Sequence, residues 1–180
     1  MAKILVYTFN KPRQITFKIL RSIDLKPIGE KNNYIDSRLR GNDIEMSVDK
    51  YYLGNLKSLA KHILETQPKY VLGLGGYRKD SKEIRVEKDF VNRYGKKPII
   101  KGSKDKYQAT WELKKQEGVI FSENPTFGPC NRSAYVLLKF IEENSLPTKL
   151  AFVHIPSSFS EVRAMEIIDK WIKEYTEVSQ

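Results

Sequence analysis

Two apolar rhythms alternate along the sequence, and their alternation limits the fold more than any other feature. Short β-branched and aromatic runs occur as KILVYTF at residues 3–9, YVLGL at 70–74, GVIF at 118–121 and LAFVHI at 150–155. Runs of this kind read as buried strands. Shorter alternating segments at 44–48 and 84–91 read as further strands. Between them, apolar residues recur every three or four positions over 15–23, 53–64, 130–141 and 160–175, the spacing of amphipathic helices. The clearest carries Leu53, Leu56, Leu59, Ala60, Ile63 and Leu64 on one side. Ser160 is placed to cap the last helix, with Glu161 in its first turn. Pro27, Gly29, Asn32, Asn33, Gly41 and Asn42 predict a loop or hairpin over 24–42. Within it, YIDSRLRGND at 34–43 is similar to translated repeat elements scattered in bacterial genes, and a surface excursion is expected there. Strands alternating with helices imply an α/β sandwich with a largely parallel sheet. No composition break or internal repeat divides the chain, so residues 1–180 are expected to form one domain.

Composition narrows the class of function. A chain of 180 residues with 40% apolar content buries about 70% of its unfolded surface and needs no staples. No apolar run approaches the roughly 18 residues that span a bilayer. The N-terminus carries neither a long apolar core nor a cleavage site, so the expected compartment is the cytoplasm and no membrane partner is expected. One cysteine excludes an internal disulfide, and two histidines beside it argue against a structural zinc site. Lys and Arg total 32 against 22 Asp and Glu, a net charge of +10. The densest basic stretch is 93–106, with Arg93, Lys96, Lys97, Lys101, Lys104 and Lys106 against Asp105. No helix-turn-helix, zinc finger or RNP-type motif accompanies it. The stretch is read as solvated surface, and nucleic acid is not the expected partner.

Ligands of such sheets bind outside the carboxyl ends of the strands, and three segments put reactive groups there. Cys130 follows Pro125, Gly128 and Pro129 and opens a helix. A thiol at a helix N-terminus lies at the positive end of the dipole, which favours the thiolate. The helix's first N–H groups could hold an oxyanion. The plain alternative is a buried, inert cysteine. His154 ends a buried strand just before Pro156, where it could serve as base for a thiol or simply be a satisfied core histidine. Glu87 could orient that imidazole, or stand exposed on its strand between Arg85 and Lys88. His62, among Lys57, Lys61 and Glu65, reads as solvent-facing. GLGGYR at 73–78 hints at a phosphate loop but lacks both the dinucleotide spacing and a P-loop Lys-Ser/Thr.

Taken in chain order, these segments resemble the pyroglutamyl peptidase I (pyrrolidone-carboxylate peptidase) family of cysteine peptidases. That family has a Gly-Leu-Ala-x-Gly-Arg segment; here GLGGYR ends in Arg78. It then has a Glu followed five residues later by Asn, as Glu87 is by Asn92. A Cys-Asn pair opens a helix, matched by Cys130-Asn131, with Ser122 at an upstream serine. Its Gly-Phe-Ile-His-Val-Pro is matched by AFVHIP, with His154 and Pro156. The basic stretch then corresponds to the loop that follows the family's glutamate. The resemblance covers nearly the whole chain. It implies a three-layer α/β/α, phosphorylase/hydrolase-like fold with a mostly parallel central sheet. It implies a Glu87-Cys130-His154 triad, with Arg78 beside the substrate or oxyanion and no metal or cofactor. The substrate would be a peptide or small acyl-amide, and the protein a homodimer or homotetramer.

The first strand departs from the family. VYTFNKPRQ at 6–14 keeps Phe9 but lacks the Pro-Phe-Gly-Gly of the family, whose two phenylalanines sandwich the pyroglutamate ring. Pro12 or Arg13 stands where the second would be, and Phe127 is a candidate replacement. Amide hydrolysis by the thiol is therefore better supported than pyroglutamate specificity. The expected function is removal of an N-terminal pyroglutamyl or related acyl group. The alternative is a catalytically silent or altered-specificity binding protein on the same fold, with a nucleic-acid binder a distant third.

Overall fold

The structure, a computed structural model, describes residues 3–9, 14–22, 26–27, 33–35, 47–77, 81–122 and 124–177. Four parallel strands form its centre: β1 (Lys3–Phe9), β4 (Ser47–Leu53), β5 (Tyr70–Tyr77) and β10 (Lys149–Pro156). Two short strands, β2 (Lys26–Pro27) and β3 (Asn33–Ile35), extend one edge as an antiparallel pair. β6 (Ile84–Glu87) and β9 (Val119–Ser122) extend the other. The order is β2-β3-β4-β1-β5-β10-β6-β9. A separate ribbon pairs β7 (Asp89–Val91) with β8 (Lys106–Gln108).

The central strands are buried on both faces, and successive residues point alternately into two cores. On one face, Ile4 and Val6, Leu72 and Leu74, and Val153 and Ile155 pack against α1 (Ile15–Ser22) and α4 (Glu161–Glu177). On the other, Leu5 and Tyr7, Val71, Leu150 and Phe152 pack against α2 (Leu56–Thr66) and α3 (Pro129–Glu143). The result is the three-layer α/β/α sandwich expected from the sequence. The Ser160 cap is also present, its hydroxyl accepting from the Arg163 amide at 3.3 Å. No helix among the described residues is long and apolar enough to cross a membrane.

Four local expectations change. The fourth strand runs on to Leu53, a residue whose spacing predicts the following helix; Asn55 starts that helix by accepting from the Lys57 amide at 2.9 Å. The alternating run at 84–91 breaks at Lys88 into strands of different sheets. His62 is half-buried against the Tyr51 ring, with centroids 5.5 Å apart. The glycines of GLGGY lie inside β5, not in a loop, so the phosphate-loop suggestion falls. Of the 34–43 stretch, Tyr34 and Ile35 pair with β4, and the rest lies outside the described residues.

The direction of β6 follows from chain length. Residues 78–83 between β5 and β6 are too few for a parallel crossover, which takes a dozen or more. β6 therefore runs back, and β10 later inserts between the two. This one reversal sets a carboxylate beside the end of the central strand.

Candidate active site

Register decides which side chains share the face beneath α3. His154 pairs with Gly75 on one side and with Arg85 on the other; Phe152 pairs with Gly73 and Glu87. Directly paired residues point to the same side of a sheet. Glu87, Arg85, His154, Phe152, Gly73 and Gly75 therefore face α3 together.

The Glu87 carboxylate lies 2.6 Å from His154 Nδ1, and both residues are almost fully buried, at 2% and 4% exposure. The carboxylate accepts, so Nδ1 donates and Nε2 is left with its lone pair. The ring is held between Phe152 and Tyr77, with centroids at 5.2 and 5.8 Å. Arg85 reaches the oxygen that His154 uses, with Nε at 2.8 Å and Nη2 at 2.7 Å from Oε1. Its guanidinium also lies 5.4 Å from the centre of the Tyr77 ring. Glu87 is thus no exposed strand carboxylate; it is buried because a cation and an imidazole satisfy it.

Cys130 is the second residue of α3, after the cap Gly128 and Pro129. Proline suits this position because its missing N–H has no helical partner anyway. A Cβ placed on Gly75 would lie 2.8 Å from Cys130 Sγ and 2.9 Å from His154 Cδ2. Cδ2 is bonded to Nε2, so the unengaged edge of the imidazole and the sulfur border the same space above a glycine. The sulfur lies at the N-terminal end of α3, where the helix dipole carries its partial positive charge.

The turn that carries Cys130 is fixed from two sides. Buried Asn131 accepts from the Val91 amide and donates to the carbonyls of Val91 and Arg93, each at 2.9 Å. Ser133 donates to the Cys130 carbonyl at 2.8 Å, and its oxygen lies 3.3 Å from the Tyr7 hydroxyl. With the serine proton already committed, Tyr7 is the donor of that second bond. Burial, and then the nearby Cys130 charge, hold the Tyr7 phenol well above its ordinary range against the opposing Ser133 bond. Tyr7 therefore stays a neutral donor beneath the thiol.

Three of the six residues singled out from sequence come together here: Glu87, Cys130 and His154. Phe9 ends β1, half-buried against the core shared with α2 and α3. Phe127 is 45% exposed and lies under the Arg93 guanidinium, 4.9 Å from its ring centre. Arg78 lies outside the described residues. Sequence reasoning missed Arg85, Tyr7, Tyr77 and Gly75. The signal for Arg85 was its position two residues from Glu87 on a strand, which puts both on one face.

No family model matches the chain, and no curated protein does. Solved structures match well. Pyroglutamyl peptidase I of Bacillus amyloliquefaciens superposes with a TM-score of 0.72 at 15% identity, over 93% of this chain and 93% of that one. The pyrrolidone carboxyl peptidase from Thermococcus litoralis gives 0.72 at 19% identity, over 100% and 97%. A point mutant of the Pyrococcus furiosus pyrrolidone carboxyl peptidase gives 0.75 at 19% identity, over 99% and 100%. At these identities the likeness is one of fold, and the chain has the α/β fold of these proteins over nearly its whole length.

Proposed function

We propose that the protein is a cysteine peptidase or amidase that removes an N-terminal acyl group, pyroglutamyl or related, through Glu87, His154 and Cys130. The single observation behind this reading is the buried Glu87–His154 bond, together with the sulfur and the imidazole edge that share the space above Gly75. His154 Nε2 takes the thiol proton, and Sγ attacks the amide carbon. The oxyanion is held by the first-turn amides of α3. Collapse breaks the C–N bond, and His154 returns the proton to the leaving amine. Water, deprotonated by the same nitrogen, then hydrolyses the thioester and restores the thiol. Glu87 fixes the tautomer and stabilises the imidazolium. The chemistry needs no metal or cofactor.

Phe9 is assigned a wall of the acyl site, Phe127 its outer edge, and Arg78 a place beside the oxyanion or substrate. Residues 1–180 are read as one catalytic domain, working in the cytoplasm as a homodimer or homotetramer. A second reading, a silent or altered-specificity binding protein, is favoured by the loss of Pro-Phe-Gly-Gly after Phe9.

The test is hydrolysis of a fluorogenic pyroglutamyl amide, before and after one equivalent of iodoacetamide. Turnover abolished by modification of Cys130 supports the reading. Absent turnover with rapid alkylation points to another acyl group. Absent turnover with alkylation at the rate of free cysteine favours the second reading.

Arg85 gives a further prediction. Arg85→Leu leaves the carboxylate with His154 as its one partner among the described residues and is expected to lower kcat about tenfold at unchanged KM. It is also expected to cost about 2 kcal/mol of stability. Arg85→Lys, which keeps the charge but not the paired N–H groups, should recover part of both. Steady-state kinetics and thermal unfolding of the two variants decide it; wild-type kcat in Arg85→Leu would reduce Arg85 to packing.

A further inference from the structure

The basic stretch at 93–106 is not one uniform surface. Its far end is neutralised: Lys104 pairs with Glu142, and Lys106 with Asp89 at 3.5 Å. Its near end is joined to the turn that carries Cys130. Asn131 holds the Val91 and Arg93 carbonyls, and the Gly95 amide donates to the Phe127 carbonyl at 3.1 Å. Two guanidiniums then lie on two exposed rings: Arg93 on Phe127 at 4.9 Å, and Arg132 on Tyr94 at 5.5 Å. Phe127 precedes Cys130 by three residues and Arg132 follows it by two. Among the described residues, Arg93, Lys96, Lys97 and Arg132 form no ion pair.

Stacking on an aromatic face fixes a guanidinium plane and leaves its N–H edge available. Arg93 uses Nε on the Gly95 carbonyl at 2.9 Å, and its terminal nitrogens remain for a ligand. A fixed guanidinium edge fits a carboxylate in two-point fashion. Nucleic acid fits less well, because two of the six cations of the stretch are already paired and one face of each ring is taken by a guanidinium rather than open to a base.

On the reading of Cys130 as nucleophile, we infer that Arg93, Lys96 and Arg132 form a basic rim on the outer side of the turn that carries Cys130 and select acidic peptides by holding a substrate carboxylate there.

The test compares alkylation of Cys130 in the folded protein by iodoacetate, an anion, and by iodoacetamide, its neutral analogue. Both require the thiolate, so their rate ratio cancels the thiolate fraction and reads the local field. Each unit charge within a Debye length changes the ratio about twofold. At low salt the ratio is expected about five- to tenfold above that of 2-mercaptoethanol, falling toward it at about 1 M salt. In Arg93→Glu/Arg132→Glu, a change of four charge units, it should fall about sixteenfold. Arg93→Gln and Arg132→Gln, each shifting it about twofold, serve if the double variant does not fold. An amide with Glu next to the scissile bond should also have kcat/KM several-fold above its Gln counterpart. A ratio equal to that of mercaptoethanol and independent of salt overturns the inference. So does an oligonucleotide bound at physiological salt and lost in the double variant, which would assign the stretch to nucleic acid. Failure of the catalytic reading shows separately, as slow alkylation by both reagents whatever their ratio.

Discussion

Cys130→Ser is expected to lower amide turnover by about 10⁴-fold or more while leaving the fold intact. The hydroxyl is close in size to the thiol, so the packing of α3 on β5 and β10 is retained. What is lost is an attacking atom that ionises far more readily than a hydroxyl. His154→Ala should cost a similar factor, because the sulfur then has no acceptor for its proton. The two losses should not add, and the double variant should be no slower than either single one, since residues acting as a unit are grossly non-additive. Glu87→Gln should cost less, about 10²- to 10³-fold, because Nε2 is still present and only its orientation and the imidazolium charge suffer. That variant also leaves Arg85 beside a neutral amide, so some stability should go with the activity. Steady-state kinetics with thermal unfolding on all four proteins measures the order. A fully active Glu87→Gln would remove Glu87 from the triad, and additive losses in the double variant would mean that Cys130 and His154 do not act in one step.

The sequence reveals what depends on local pattern and hides what depends on pairing. The buried strands at 3–9 and 150–155 show in their β-branched runs, and α3 shows in Pro129 followed by the spacing of Ala134, Leu137, Leu138 and Ile141. Cys130 could be placed at a helix start on those grounds alone. The extent of β4 could not, because Tyr51, Tyr52 and Leu53 suit either a strand end or a helix start. Nor could the burial of Glu87. That depends on β6 running back from β5 and on β10, about sixty residues later, entering between them. Only that insertion turns an Arg-x-Glu on a strand into a clamp on a histidine. The role of Gly75 is hidden for the same reason, since nothing local says which side chains will occupy the space above it.

Adding a methyl group at three glycines of β5 should give three different results. Alanine ordinarily gains stability over glycine in an extended strand by about 0.5–1 kcal/mol, through its stiffer unfolded chain. At Gly76 the nearest atom to a new Cβ is in the Gln14 side chain at 3.6 Å, an ordinary contact, so Gly76→Ala should be neutral or slightly stabilising. At Gly73 the methyl would lie 2.3 Å from Phe152 Cδ2 and 2.7 Å from the Tyr7 hydroxyl, both in the packed core. Overpacking of that kind should cost about 3 kcal/mol, or roughly 6–12 °C in Tm for a chain of this size. At Gly75 the methyl would meet the Cys130 sulfur and Phe152 Cε1, each at 2.8 Å, and the His154 ring at 2.9 Å. The sulfur can rotate aside on its one free torsion but the two buried rings cannot, so stability should also fall, by about 2–3 kcal/mol. Turnover should fall about 10²-fold or more, because the nucleophile leaves its geometry with the base. Thermal unfolding and kinetics on the three variants separate the two effects. A folded Gly75→Ala with wild-type turnover would mean that the sulfur and the imidazole do not meet above that glycine in the working protein, and the proposed site would have to be redrawn.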